Sequence, residues 1–361
     1  MKNFGFGCMR LPMIDKEVDH KQFCEMIDLF MENGFTYYDT ARVYIQGKSE
    51  LALKECLVKR YPRESFIIAD KLSGSCFEKQ EDIIPFFNSQ LESLGVEYID
   101  YYLMHCQMQR NYDKFMNAKA YEIAAQLKKE GKIKHLGFSL HDNAEFLEKI
   151  LIDHPEVEFV QIQFNYLDYD SVNVESKKCY EVCRKYNKDV MIMEPVKGGE
   201  LVNLPLKAQE IINKLEKGSN ASYAIRFAAS FDGVIMVLSG MSDLNQMKDN
   251  ISYMKDFKPL TDYEKQELFK VAEVIKENKL IPCTGCRYCV DGCPKQIKIP
   301  DMFSILNTKI LNKNYNPNAY KELTVSSGLA SDCIKCGLCE KECPQNLPIR
   351  ELLEKVNKEL K

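Results

Sequence analysis

Between residues 283 and 343 the chain carries the same cysteine spacing twice. Cys283, Cys286, Cys289 and Cys293-Pro294 read C-x2-C-x2-C-x3-C-P, and Cys333, Cys336, Cys339 and Cys343-Pro344 repeat it without a change. Such short separations let one loop wrap three corners of a cubic iron–sulfur cluster, and in this pattern the fourth cysteine of each run ligates the other cluster. The spacing therefore predicts two [4Fe-4S] clusters. One would sit on Cys283, Cys286, Cys289 and Cys343, the other on Cys333, Cys336, Cys339 and Cys293. A zinc site takes four ligands, usually as two spaced pairs, and demands neither a third close cysteine nor a trailing proline in both runs.

The remaining cysteines agree with a metal site. Of 15, seven are scattered through the first 183 residues and eight follow Ile281. An odd total at irregular spacing, behind an N-terminus that runs directly into a strand pattern, is not a disulfide framework. Reduced thiols and a cytoplasmic location are expected. A formal net charge of −4 shows no bias toward nucleic acid or membrane partners. No run approaches the ~18 apolar residues that a membrane span needs.

With 361 residues the chain can bury a large core and add a second module. From Phe4 to Ser239, eight strand-like runs alternate with mostly helical ones. Asp19 caps a helix that puts Phe23, Met26, Ile27, Phe30 and Met31 on one face, and Gly34 ends it. A continuous helix is expected from about Tyr112 to Glu130. Alternation at this spacing implies a parallel sheet, and eight units suggest closure. The expected fold is α/β, a (β/α)8 TIM barrel over residues 1–260. A charged helix over 261–280 then connects it to a smaller, mainly α-helical domain at 281–361.

Three of the strand-like runs end in ionisable groups. Phe35-Thr36-Tyr37-Tyr38 stops at Asp39, with Tyr44 five residues on; Phe66 to Asp70 stops at Lys71; Tyr101 to Met104 stops at His105. Strand ends facing a common mouth are where such sheets put their chemistry. A phenol that donates a proton needs a neighbour that favours the phenolate left behind, and a buried ammonium near Tyr44 would lower its pKa in that way. Asp39 would keep that lysine charged, and His105 would orient or protonate a substrate oxygen.

This set resembles the Asp-Tyr-Lys-His tetrad of the aldo-keto reductases, in the order G-F-x-Y-Y-D-T-A-x-x-Y, A-D-K and L-M-H. The resemblance extends from Phe4 to about Asn250. It implies NADPH or NADH as cofactor, a small carbonyl substrate reduced to an alcohol (or the reverse), and Tyr44 as general acid. It also implies a cofactor groove. Lys128 to Ser139 looks like the signature before the serine that holds the nicotinamide amide, with Leu140 where an Asn partner is usual, and Gln161 matches the second amide-binding position. Met193-Glu194-Pro195 falls where many members have a stacking Tyr, and Gly198 follows. Ser239, Gly240, Ser242, Gln246 and Asn250 match the adenosine-phosphate end. Gln246 stands at an arginine position, which makes NADH credible beside NADPH.

The C-terminal stretch resembles bacterial-type two-cluster ferredoxins of the helical variety, because 39 residues separate Cys293 from Cys333 and include the helix-like run from Pro300 to Leu311. Its 12 Lys/Arg and 9 Asp/Glu nearly cancel two clusters of about −2 each, which fits a docked module better than a free carrier. Hydride transfer moves two electrons at once and a cluster moves one; nothing in the sequence reads as a flavin site that would convert between them. Three readings stay open: a carbonyl reductase whose clusters are structural, regulatory or engaged by an external electron-transfer partner; a ferredoxin-linked enzyme with a flavin or substrate-radical step; and a non-catalytic redox sensor.

Overall fold

The computed structural model describes residues 2–215 and 218–360. Eight strands form a closed, wholly parallel barrel: β1 (Phe4–Gly7), β2 (Tyr37–Asp39), β3 (Ile67–Leu72), β4 (Ile99–Gln107), β5 (Ile133–Leu140), β6 (Phe159–Gln163), β7 (Asp189–Met193) and β8 (Val234–Ser239), each beside the next and β8 beside β1. The register passes through Gly7↔Asp39, Lys71↔Leu103, Ser139↔Gln161 and Gln163↔Met193, and it shifts between Met104 and Gln107 on β4 and between Val234 and Met236 on β8. The alternation of strand-like and helical runs thus closes as expected. Tyr37, Ala69, Leu103, Phe159, Met191 and Met236 fill the interior. Gly137 is needed there, since a Cβ would stand 2.5 Å from the Phe159 ring.

Outside the strands, the helix His20–Glu32 is capped by Asp19 and buries Phe23, Met26, Ile27 and Phe30. Phe6 and Tyr38 pack against Phe30. The single helix expected from Tyr112 to Glu130 is two, Gln109–Asn117 and Ala120–Lys129, because Lys119 takes a left-handed φ of 50° and redirects the chain so that Ala120 and Tyr121 are buried. The expectation of wholly reduced thiols also fails. Cys24 and Cys56 are bonded, with Cα atoms 4.7 Å apart, well within reach of a disulfide. Among the described residues no helix is long and apolar enough to cross a membrane.

The chain divides into two compact units, Met1–Pro195 with Lys217–Asp262, and Val196–Glu216 with Tyr263–Lys361. The second unit is helical. Its two cysteine loops have the same backbone at an offset of 50 residues: Gly285 and Lys335, Arg287 and Gly337, and Gln296 and Asn346 all have positive φ. Short helices Tyr288–Asp291 and Leu338–Lys341 follow at matching places, and longer ones, Ile299–Leu311 and Ile349–Glu359, come after each proline. Their apolar faces, with Met302, Phe303, Leu306, Leu353 and Val356, form one core that also includes Cys289 and Cys343.

Candidate active site

Asp39, Lys71 and His105 lie at the C-terminal ends of β2, β3 and β4, and all are buried. Lys71 Nζ donates to Asp39 Oδ1 at 2.6 Å and to the Thr40 carbonyl at 2.7 Å. It also stands 4.7 Å above the centroid of the Tyr44 ring. The Tyr44 ring meets the His105 imidazole edge-on at 6.0 Å. All four tetrad residues therefore come together.

Tyr44 is placed by a tightly wound loop. Ile45, Gln46 and Gly47 have φ of 49°, 55° and 85°, and such left-handed runs persist only where the surroundings fix them. The surroundings here are buried hydroxyls: Ser49 Oγ donates to the Cys8 carbonyl at 2.8 Å and meets Thr40 Oγ1 at 2.7 Å.

The electrostatics correct one expectation. The Tyr44 phenol is pushed well above its ordinary value, first by burial and then by the Asp39 carboxylate, with Arg10 opposing. The resemblance implies a phenol lowered by Lys71, but burial and Asp39 outweigh that charge: the ammonium bonds Asp39 and Thr40 and stands over the Tyr44 ring, where it still favours the phenolate once the proton has left. A phenol in this state keeps its proton at neutral pH and can donate it. Burial also lifts the Asp39 carboxyl, with Lys71 pulling the other way. His105 is held far below its usual value by burial, the Lys71 charge and His141, so the imidazole is neutral. Its Nδ1 meets Ser73 Oγ at 2.6 Å. With the serine donating, the ring proton lies on Nε2. Ser73 follows Lys71 by two residues, and only the fold shows that it orients His105.

Around the barrel mouth, Ser139 Oγ accepts the Cys106 N–H at 2.7 Å, which leaves its own proton available. Gln161 is buried, and its Oε1 has no hydrogen-bond partner. A primary carboxamide needs one donor for its carbonyl and one acceptor for its N–H, so these two residues fit the amide of a nicotinamide. Met193 is partly exposed at the end of β7, and Pro195 is buried. Leu140 is buried too, while the neighbouring His141 has a buried Nδ1 without a partner. Asn165 and Asp168, which sequence reasoning passed over, bond to one another at 2.8 Å, and Asn165 holds the Glu194 carbonyl at 3.0 Å.

At the end of β8, Asn250 Nδ2 donates to Ser239 Oγ at 2.9 Å. Gly240 lies near Arg10 and Gly7, and Ser242 Oγ donates to the Arg10 carbonyl at 3.0 Å. Gln246 folds back, its Oε1 accepting the Ser242 N–H. Gly198 belongs to the second compact unit, where a Cβ would stand 2.4 Å from the carbonyl oxygen of Thr284.

In that unit the eight cysteines stand around two recesses. Cys283, Cys286, Cys289 and Cys343 line one of ≈ 320 Å³, and Cys293, Cys333, Cys336 and Cys339 line another of ≈ 350 Å³, both counted with the open space at their mouths. Among the described residues no three Cys, His, Asp or Glu side chains converge on a point for one bare ion. Thiols spread over the walls of a recess are the donor set that a multi-atom cluster requires.

Residues 3–273 match the aldo/keto reductase family and residues 282–348 match a 4Fe-4S dicluster domain. The chain is 29% identical over 226 residues to the NADH-specific methylglyoxal reductase of Escherichia coli, spanning 56% of this chain and 65% of that protein, just under two thirds of its length. An aldo-keto reductase of Bacillus halodurans in its holo form superposes with a TM-score of 0.61 at 24% identity, covering 74% of this chain and 91% of its own. An aldo-keto reductase of Klebsiella pneumoniae in complex with NADPH gives 0.61 at 18%, covering 75% and 90%. With three quarters of its length matched and the tetrad assembled at the mouth of the barrel, the chain belongs to the aldo/keto reductase family.

Proposed function

We propose that the protein is a nicotinamide-dependent carbonyl reductase in which Tyr44 protonates the substrate oxygen. The observation that carries this reading is the buried Lys71–Asp39 pair at 2.6 Å with its ammonium 4.7 Å above the Tyr44 ring. A reduced nicotinamide, with its amide between Ser139 and Gln161, would supply the hydride to the carbonyl carbon. The oxygen takes the Tyr44 proton, and the phenolate left behind is stabilised by Lys71. Neutral His105, with its proton on Nε2, donates a hydrogen bond that fixes the carbonyl. The name of the Escherichia coli relative makes small 2-oxoaldehydes the first substrates to test.

Cys283, Cys286, Cys289 and Cys343 would hold one [4Fe-4S] cluster and Cys333, Cys336, Cys339 and Cys293 the other, supplying one-electron chemistry and structural support. Of the eight, Cys336 is the exposed one, and an external electron-transfer partner would approach there.

Tyr44→Phe tests the central assignment. Loss of a positioned proton donor costs ~10²–10⁴ in rate, so turnover should collapse while nicotinamide affinity stays near wild type. A variant within about threefold of wild-type turnover, far short of that loss, would remove the assignment.

A further inference from the structure

The two cysteine recesses are related by the repeat of 50 residues, yet their walls differ. On the first recess Cys289 and Cys343 are buried, while their counterparts on the second, Cys339 and Cys293, are half-buried. Cys286 is half-buried, and its counterpart Cys336 is exposed. The residue after the first cysteine of each run differs in the same sense. Thr284 is 3% exposed and lies under the Gly198 backbone of the same compact unit, whereas Ile334 at the matching place is 58% exposed.

Charge differs as well. Among the described residues no charged side chain lines the first recess, and two cations, Lys295 and Arg350, line the second. Gln345 and Pro300 stand at their places in the first. The Arg350 guanidinium holds Glu340 at 2.8 and 2.9 Å, and Glu340 itself does not line the recess, so this pair turns its positive end inward. Lys295 adds an ammonium that the other repeat lacks.

We propose that the site of Cys293, Cys333, Cys336 and Cys339 holds the higher-potential cluster of the two and takes the first electron that reaches the protein from a one-electron carrier. The proposal deepens the two-cluster reading above and rests on it. An all-cysteine [4Fe-4S] cluster carries about −2 when oxidised, and one electron takes it to about −3 with no bond broken and no proton bound. Water and nearby cations stabilise the added negative charge, and burial penalises it. Exposure and the two cations therefore act in the same direction at the second site. Thr284 offers the first recess a hydroxyl where Ile334 offers none, but a neutral donor is worth about half as much as an ionised one. The first cluster thus stays oxidised until the second is filled. The site that an external carrier would approach, beside Cys336, is also the one that fills first.

Redox titration of the anaerobic holoenzyme, followed by the EPR signals of the reduced clusters, tests this order. Two steps are expected. The first electron should favour one cluster by about tenfold, the order that one ionised neighbour gives, which is ~59 mV for a one-electron couple. Lys295→Gln copies the residue of the other repeat. It should weaken electron uptake in the upper step by about threefold, the smaller share of an exposed ammonium, and leave the lower step in place. Gln345→Lys, which puts the same charge on the first recess, should raise the lower step instead. Iron and sulfide counted on each sample decide the two-cluster reading separately. A single step shared by both clusters, or an upper step that does not move in Lys295→Gln, overturns the proposal.

Discussion

In the barrel unit, an ammonium and a carboxylate from separate strands meet at 2.6 Å and neutralise one another inside a scaffold closed by its own hydrogen bonds. In the C-terminal unit, Cys289 and Cys343 are themselves part of the hydrophobic core and line a recess between short helices. The first region would keep its shape without its chemistry. The second builds its fold around the groups that would bind metal, so ligand loss and unfolding should coincide there. The two units should therefore respond in opposite ways to the removal of one polar group.

The largest expected effect is on the barrel. Lys71→Met removes the charge that favours the phenolate, and turnover should fall by ~10²–10⁴, as for loss of the proton donor itself. Asp39 is left buried without its cation, which typically costs ~3–5 kcal/mol. Iron content should not change. Single-turnover kinetics, thermal unfolding and iron analysis on one preparation check all three. Iron lost together with activity would mean that the two regions do not respond separately.

Cys286→Ser reverses the pattern. Iron content and the stability of the C-terminal unit should drop, since metal binding there contributes folding energy. Reduction of a carbonyl by NADH or NADPH should survive at least in part in the folded fraction. Complete loss of turnover in a variant that still binds nicotinamide would instead favour the reading in which the clusters feed the reaction.

Gly198→Ala gives a smaller effect. At φ 61° a side chain is strained, and its Cβ would press on Thr284, between Cys283 and Cys286. Overpacking of this kind costs ~1–3 kcal/mol, and it should appear as faster loss of iron on mild heating. If nicotinamide affinity falls while iron retention does not, Gly198 acts in the cofactor groove, as the family resemblance implies.

The same contrast explains what could be read from the chain. Cluster ligands lie within a few residues of one another, so spacing alone names them, and the alternation of strands and helices names the barrel. Asp39, Lys71 and His105 were legible because each ends a hydrophobic run, and Tyr44 because it follows Asp39 by five residues, as in the family pattern. Ser73 was not, because its role depends on which strand ends become neighbours. Nor did sequence reveal that the Tyr44 phenol is raised. That follows from burial and from the Asp39 carboxylate beside it, and neither is a property of spacing. The break at Lys119 was missed because a left-handed lysine gives no signal in a helical pattern.

The smallest effect separates the two nicotinamides. At the helix Leu244–Met254 the Gln246 N–H is taken by Asp243 Oδ1 at 2.9 Å, and the Ser242 N–H by Gln246 Oε1 at 2.9 Å. An adenosine 2′-phosphate placed here, as the family resemblance implies, would find these two backbone donors already occupied by the chain's own side chains, with the Asp243 carboxylate at the same place. With Gln246 where the family often places a cation, the extra phosphate gains little. A charged contact of this type is typically worth ~1.5–3 kcal/mol, so without it NADH and NADPH should bind within about tenfold of each other. Fluorescence titration with each nucleotide measures the ratio. NADPH bound a hundredfold tighter would mean that a cation close by, Lys248 being the exposed candidate on this helix, turns to the phosphate, and Lys248→Met should then abolish the difference.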